Sequence, residues 1–390
     1  VTRPAVFGFE KLFFPIRNHT QLYLSRLSAI AGGPFRMTGR GFSDKALFQK
    51  NYGTREAPLC ALSIAQSKIV SCKNEKPMFE EIRINLDLPP AERWNFLQSD
   101  PQEADVLIGY YLKDLGDVSF FRDAIEYYKS TFVKQEYLEE IRTIAAFSQY
   151  SENDILITNL YYDALKFVFG CTAFTVQTDG QKFHARNLDW WTENDALKKQ
   201  TKVFHFTRNN QILYSAVSWI GFVGILSGMK PGKFSITLNA VSSTEKPNLA
   251  PPITFLIRDV LEKAASFEEA LHMLSTTEIA SDCLLMLAGV NPNEQVVIER
   301  TPRKFALRYS DENFLVVTND YRQFSNDIKM GDVIQETSCR RFDRATSLLA
   351  SRLPANAQEC LAILSDTHVK MGITVQQMVF DLTNSTITVQ

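Results

Sequence analysis

The sequence predicts an α+β protein in which antiparallel sheets are covered by helices. Two observations carry this reading. Five pairs of alternating or apolar segments, each joined by a short turn, lie in the stretch after residue 171. Before and between them lie segments whose apolar residues recur with the spacing of a helix face.

Residues 1–81 form an N-terminal extension with no assignable structure, because Gly32-Gly33-Pro34 and Gly39-Arg40-Gly41 interrupt its short apolar runs. Residues 82–170 read as a helical part. Pro89-Pro90 opens AERWNFLQ, and QEYLEEIRTIAAFSQY places apolar residues at 138, 141, 144, 145 and 147. From Cys171 the period becomes two. AFTVQT and KFHAR flank Asp179-Gly180, and KVFHFTR and ILYSAVSW flank Asn209-Asn210, both as hairpins. LLMLAGV with QVVIER, KFALRYS with FLVVTN, and QMVFDLT with ITVQ supply three further expected pairs. Helices are expected over 253–274, 340–352 and 357–366.

Composition narrows the function. The 390 residues are 45% hydrophobic and 22% charged, with a formal net charge of −2. No Lys/Arg cluster stands out, which argues against nucleic acid as a partner. No apolar run approaches the roughly 18–20 residues of a membrane span. The N-terminal VTRPAVFGFEKLFFPIRNH lacks the charged, apolar and small-residue order of a signal peptide. Six scattered cysteines show no zinc spacing, and Cys60 with Cys72 is one conceivable disulfide. Sequons occur at Asn18 and Asn384. None of this fixes a compartment: lysosomal, secreted, periplasmic and cytoplasmic locations all stay open.

The chain has no Walker A loop, Rossmann fingerprint, HExxH or G-x-S-x-G elbow, and no cofactor or metal is expected. His184 and His205 sit in strand-like alternation and read as core or surface residues. The informative segment is FVFGCTAFTVQTDGQKFHARNLDWW, residues 167–191. On composition alone, Cys171 reads as a structural thiol opening a strand. A hairpin, however, returns Arg186-Asn187-Leu188-Asp189 alongside it. A cation and a carboxylate there would favour the thiolate and orient a neighbouring amine. Read alone, an Arg and an Asp this close are more often a surface ion pair.

This segment resembles the nucleophile region of the acid ceramidase and N-acylethanolamine-hydrolysing acid amidase family, within the cholylglycine hydrolase group. There a Cys-Thr pair opens the β-subunit and Arg-Asn-x-Asp follows about fifteen residues later, as Cys171-Thr172 and Arg186-Asn187-Leu188-Asp189 do here. IRINLDLPPAERW (82–94), EEIRTIAAFS (139–148), GFVGILSGMKPGKFSITLN (221–239), VVTND (316–320) and CRRFDRA (339–345) extend the likeness in order.

The resemblance implies a four-layer αββα sandwich, the N-terminal-nucleophile hydrolase fold. It implies cutting between Gly170 and Cys171, after which the free α-amine of Cys171 serves as base for its own thiol. By the same resemblance Arg186 and Asp189 orient these groups and Asn319 donates to the oxyanion. Asn239 is a second donor or a turn-stabilising residue, and Arg340 or Arg341 completes the site. The catalytic part is then 171–390, associated after the cut with a fragment 1–170 that carries the helical part 82–170. The implied substrate is an N-acyl lipid amide, with peripheral contact to lipid surfaces. Bile-salt, penicillin or acyl-homoserine-lactone amides are the rival substrates, and a silent lipid-binding homologue is the rival role. Two positions depart from the family: Asp320-Tyr321 follows Asn319 in reversed order, and Ala240 stands where the mammalian amidases place Glu.

Overall fold

The computed structural model describes residues 79–115, 122–165, 169–190, 192, 195–326 and 333–390. Most of the N-terminal extension, the Cys60/Cys72 pair and the Asn18 sequon lie outside the described residues.

The strands are β1 (Glu81–Asn85), β2 (Phe169–Thr178), β3 (Gln181–Trp190), β4 (Lys202–Arg208), β5 (Gln211–Ser218), β6 (Ser227–Lys230), β7 (Phe234–Asn239), β8 (Cys283–Gly289), β9 (Gln295–Arg300), β10 (Phe305–Arg308), β11 (Phe314–Val317), β12 (Thr374–Asp381) and β13 (Thr386–Val389). The helices are α1 (Gln102–Leu115), α2 (Arg122–Phe132), α3 (Gln135–Ala146), α4 (Glu152–Asn159), α5 (Tyr161–Leu165), α6 (Ala196–Lys199), α7 (Ile253–Lys263), α8 (Phe267–Thr276), α9 (Val333–Ser351) and α10 (Ala357–Leu364). One sheet runs β1-β4-β5-β6-β7-β8-β9-β10 and the other β11-β2-β3-β12-β13. α7 and α8 cover the larger sheet, α9 and α10 cover the smaller, and β2 and β11 face β7, β8 and β9 across the middle. The result is the four-layer αββα sandwich. No described helix is long and apolar enough to cross a membrane.

Turn chemistry explains the first two hairpins. Asp179 and Gly180 have φ of 45° and 77°, and Asn209 and Asn210 have 50° and 59°. A two-residue turn needs this left-handed backbone to match strand twist, and Asn, Asp and Gly adopt it most readily. β8 with β9 and β12 with β13 also pair as expected.

Three expectations are corrected. KFALRYS and FLVVTN do not form a hairpin: β10 pairs with β9, whereas β11 pairs with β2 in the other sheet. Every residue of β11 is buried, Phe314 and Val316 against the α9 side and Leu315 and Val317 between the sheets. A run apolar on both faces belongs inside a sandwich, not beside the half-exposed β10. The expected helix 253–274 is two helices. Ala264 is extended, and the Ser266 hydroxyl accepts the Glu269 N–H to start α8. Finally, the part 82–170 is not wholly helical, because β1 joins the larger sheet beside β4 in parallel. Its alternating Ile82 and Ile84 are buried, a signal five residues long.

Between the sheets, alternation places Lys182, His184 and Arg186 on one face of β3. All three are buried. The His184 ring nitrogens meet Ser235 Oγ at 2.7 Å and Thr237 Oγ1 at 2.9 Å, both on β7. Burial, reinforced by the Arg186 charge, pushes the His184 pKa down to about 3. The ring is therefore neutral when folded and protonates near 6.5 when unfolded. Its stabilising share is complete above pH 6.5 and falls as pH drops toward 3, by at most about 5 kcal/mol. Urea unfolding at pH 7 and pH 4.5 should show a smaller pH-dependent loss in His184→Gln than in the parent.

Candidate active site

The β2–β3 register builds the site. Cys171 lies opposite Leu188, Ala173 opposite Arg186, and Gly170 opposite Asp189. Opposed residues share a face, so Arg186 joins the thiol's face while Asp189 lies on the other, with Gly170 and Thr172.

Arg186 Nη2 is 3.3 Å from Cys171 Sγ and also donates to the Leu238 carbonyl. Its Nη1 donates to the Leu226 carbonyl and Ser227 Oγ. These partners, all in or beside the larger sheet, fix the guanidinium against the sulfur. The Cys171 N–H donates to Asn319 Oδ1 at 3.0 Å, and Arg341 Nη2 donates to the same oxygen at 2.7 Å. Asn319 Nδ2 donates to the Ala240 carbonyl at 2.8 Å. Two donors on one side and a carbonyl on the other leave a single sensible orientation for this amide. Arg341 Nη1 reaches the Cys171 carbonyl at 2.5 Å and Thr172 Oγ1 at 3.0 Å.

Asp189 is completely buried. One oxygen accepts from Thr374 Oγ1 at 2.5 Å, and the other lies 4.0 Å from Arg341 Nη1 and accepts no hydrogen bond. Burial raises its pKa, a tendency that Arg341, Thr374 and Arg186 oppose but do not cancel. Gly170 does not adopt a left-handed φ; its smallness serves close approach. A methyl group there would sit 2.9 Å from Met371 Sδ and 3.0 Å from Asp189 Cβ.

The structure thus brings Cys171, Arg186, Asp189, Asn319 and Arg341 together around the Gly170–Cys171 bond. Arg340, next to Arg341 on α9, is exposed. Asn239 lies nearby, but its Nδ2 donates to the carbonyls of Val317 and Thr318, and its buried Oδ1 accepts nothing. It anchors the end of β7. The reversed Asp320-Tyr321 also finds an explanation: Tyr321 is buried and its hydroxyl donates to the Arg300 carbonyl. Thr374 and Ser338, which accepts the Asn319 N–H, carried no sequence signal. Thr374 arrives through the pairing of β12 with β3, opposite Asp189. No group of three or more His, Cys, Asp or Glu suited to a metal occurs among the described residues. A cavity of about 640 Å³ between β11 and α9, lined by Phe314, Phe342 and Leu349, does not include Cys171 in its walls.

The αββα sandwich is the fold of the N-terminal-nucleophile hydrolases, and Cys171 lies on β2, an interior strand of its smaller sheet. A family model described as acyl-coenzyme A:6-aminopenicillanic acid acyl-transferase matches residues 176–389. An N-acylethanolamine-hydrolyzing acid amidase of Caenorhabditis elegans is 32% identical over 334 residues, 79% of this chain and 90% of that one. Acid ceramidase of Bos taurus is 29% identical over 64% of this chain and 71% of its own length. A solved structure of the Caenorhabditis elegans N-acylethanolamine-hydrolyzing acid amidase ortholog is 31% identical, covering 54% of this chain and 92% of its own, with a TM-score of 0.47. The chain belongs to this acyl-transferase family, alongside the acid ceramidases and N-acylethanolamine-hydrolyzing acid amidases.

The two adjacent arginines separate cleanly by experiment. Arg341→Ala should lower turnover by about 10²-fold or more, since it removes donors to both Cys171 and Asn319. Arg340→Ala should stay within about twofold of the parent, measured as kcat on equal amounts of folded protein.

Proposed function

We propose that this chain is an N-terminal-cysteine amide hydrolase that cuts itself between Gly170 and Cys171 and then cleaves N-acyl lipids of the ceramide or N-acylethanolamine type. Hydrolysis of an amide bond is the activity its relatives' names carry, and the chain is an enzyme of that kind. The observation behind the finer reading is the set of charged and amide groups on Cys171. Arg186 sits at its sulfur, Asn319 at its nitrogen and Arg341 at its carbonyl.

In the first reaction the Cys171 thiol adds to the Gly170 carbonyl. The C–N bond breaks, the nitrogen takes the proton, and a thioester remains, which water hydrolyses to the Gly170 carboxylate and the free thiol. The thiol is only 1% exposed in the continuous chain. In the second reaction the new α-amine takes the thiol proton. The thiolate attacks the substrate carbonyl, the amine departs with a proton, and water releases the fatty acid from the acyl-enzyme. Asn319 is the proposed oxyanion donor, Asp189 orients the new amine, and Arg341 holds the Cys171 carbonyl. The two fragments, one ending at Gly170 and one beginning at Cys171, stay associated in this proposal.

The segment WIGFVGIL (219–226) is buried and borders the site through the Leu226 carbonyl, so it can supply an apolar wall. The segment 253–261 instead lies within α7, on the outer layer. Each buried methylene contributes up to about 0.8 kcal/mol, so kcat/KM should climb steeply with acyl length. A series of N-acyl amides differing in chain length and head group, assayed on cut enzyme, tests this. Flat rates across length, or a preference for bile-salt amides, would sink the lipid reading and leave the nucleophile standing.

A further inference from the structure

The side chain that sets Arg186 against the thiol is itself held by a bridge between the sheets. β3 carries His184 two residues before Arg186 and on the same face. β7 carries Ser235 and Thr237 on one face, and its Leu238 carbonyl receives Arg186 and lies 3.8 Å from Cys171 Sγ. His184 is the group that contacts both hydroxyls, one with each ring nitrogen. The ring also packs edge-on against Phe380 of β12, with centroids 5.8 Å apart. We infer that His184 is a positioning residue for the reaction: by locking β3 to β7, it holds the Arg186 guanidinium between the Leu238 carbonyl and the sulfur of Cys171.

Three features favour this over an ordinary core role. The ring uses both of its nitrogens, so it fixes the sliding of β3 along β7 as well as their separation. A buried imidazole is costly unless satisfied, and an aliphatic side chain would fill the same space. The partner strand is also the one whose carbonyl Arg186 must reach. A shift of β3 along β7 at this bridge would draw the guanidinium away from that carbonyl and from the sulfur. His184 remains neutral, because burial and the Arg186 charge both resist protonation. It is thus a poor proton carrier and a good fixed spacer.

This inference rests on the nucleophile reading above, and its test keeps the two apart. His184→Leu, His184→Gln, Thr237→Val and the control His205→Gln are compared as folded, cut protein. His205 makes a similar hydroxyl contact, to Ser215, but within one sheet. The readouts are the iodoacetamide alkylation rate of Cys171 followed by peptide mass, and kcat and KM on a long-chain N-acyl amide. His184→Leu should slow alkylation and lower kcat by about 10–100-fold with KM within about twofold. His184→Gln, which keeps a donor and an acceptor, should recover most of that loss, and His205→Gln should match the parent. If His184→Leu does not fold, Thr237→Val decides, with slower alkylation and lower kcat expected. Parent-like alkylation and kcat in His184→Leu, or in Thr237→Val when the former does not fold, would overturn the inference. Equal losses in His205→Gln would also overturn it, by showing only a structural effect. A parent that never cuts at Gly170–Cys171 would instead remove the nucleophile reading.

Discussion

Cys171→Ala should yield a single uncut chain with no measurable turnover. Both proposed reactions need the same sulfur, first against the Gly170 carbonyl and then against the substrate, so one substitution should stop both. Losing a nucleophile of this kind costs about 10⁶-fold in kcat elsewhere. Folding should survive, because Ala fits the cysteine's place on β2, where Ala173 already lies on the same face. Intact-mass analysis of the parent at acidic and neutral pH should show fragments ending at Gly170 and beginning at Cys171, and the variant one mass. Cleavage at the same bond in Cys171→Ala would rule out self-cutting.

A second large effect is expected far from the thiol, at Glu140 on α3. This fully buried carboxylate receives both Nη atoms of Arg258, at 2.6 and 2.7 Å. It also receives Arg93 and the Trp94 indole N–H, each at 3.0 Å. Burial alone would raise its pKa, but Arg258, Trp94 and Arg93 together hold it below the usual carboxylate range. Glu140→Ala leaves the Arg258 charge buried without its counterion, which costs about 3–5 kcal/mol. The loss should appear as a lower urea midpoint and, in cut protein, as separation of the fragments on gel filtration. Glu140→Leu combined with Arg258→Met should recover much of the stability, because it removes the stranded charge along with the pair. An unchanged urea midpoint in Glu140→Ala would refute this account.

Much of the fold was legible because local chemistry decided it. Asp179-Gly180 and Asn209-Asn210 name their turns, and alternation does the rest. The faces of Arg186 and Asp189 were legible too: three residues apart on a strand, they must point oppositely, although both were first placed beside the thiol. The choice between Arg340 and Arg341 was not legible. Neighbours on a helix differ by about 100°, and which one meets the site depends on how α9 docks on β2. Glu140 was hidden for another reason. Its partner Arg258 lies 118 residues away, and each charge, read locally, resembles the polar face of an amphipathic helix. The switch of sheets between β10 and β11 was masked by a turn suited to a hairpin.

The parallel pairing of β1 with β4 imposes an order in time. Val203 on β4 lies beside Glu81 on β1, and the whole segment containing the bond after Gly170 intervenes. While the backbone is continuous, the two strands find each other as parts of one molecule, at a loop-closure cost that grows only slowly with length. Once the bond is cut, the same pairing becomes an encounter between two solutes and depends on their concentration. A stretch beginning at Cys171 and made by itself would also present β4 as a bare sheet edge, a template for joining the wrong neighbour. In the proposed scheme assembly therefore has to come before scission, and denatured cut protein should regain its form far less readily than the uncut chain.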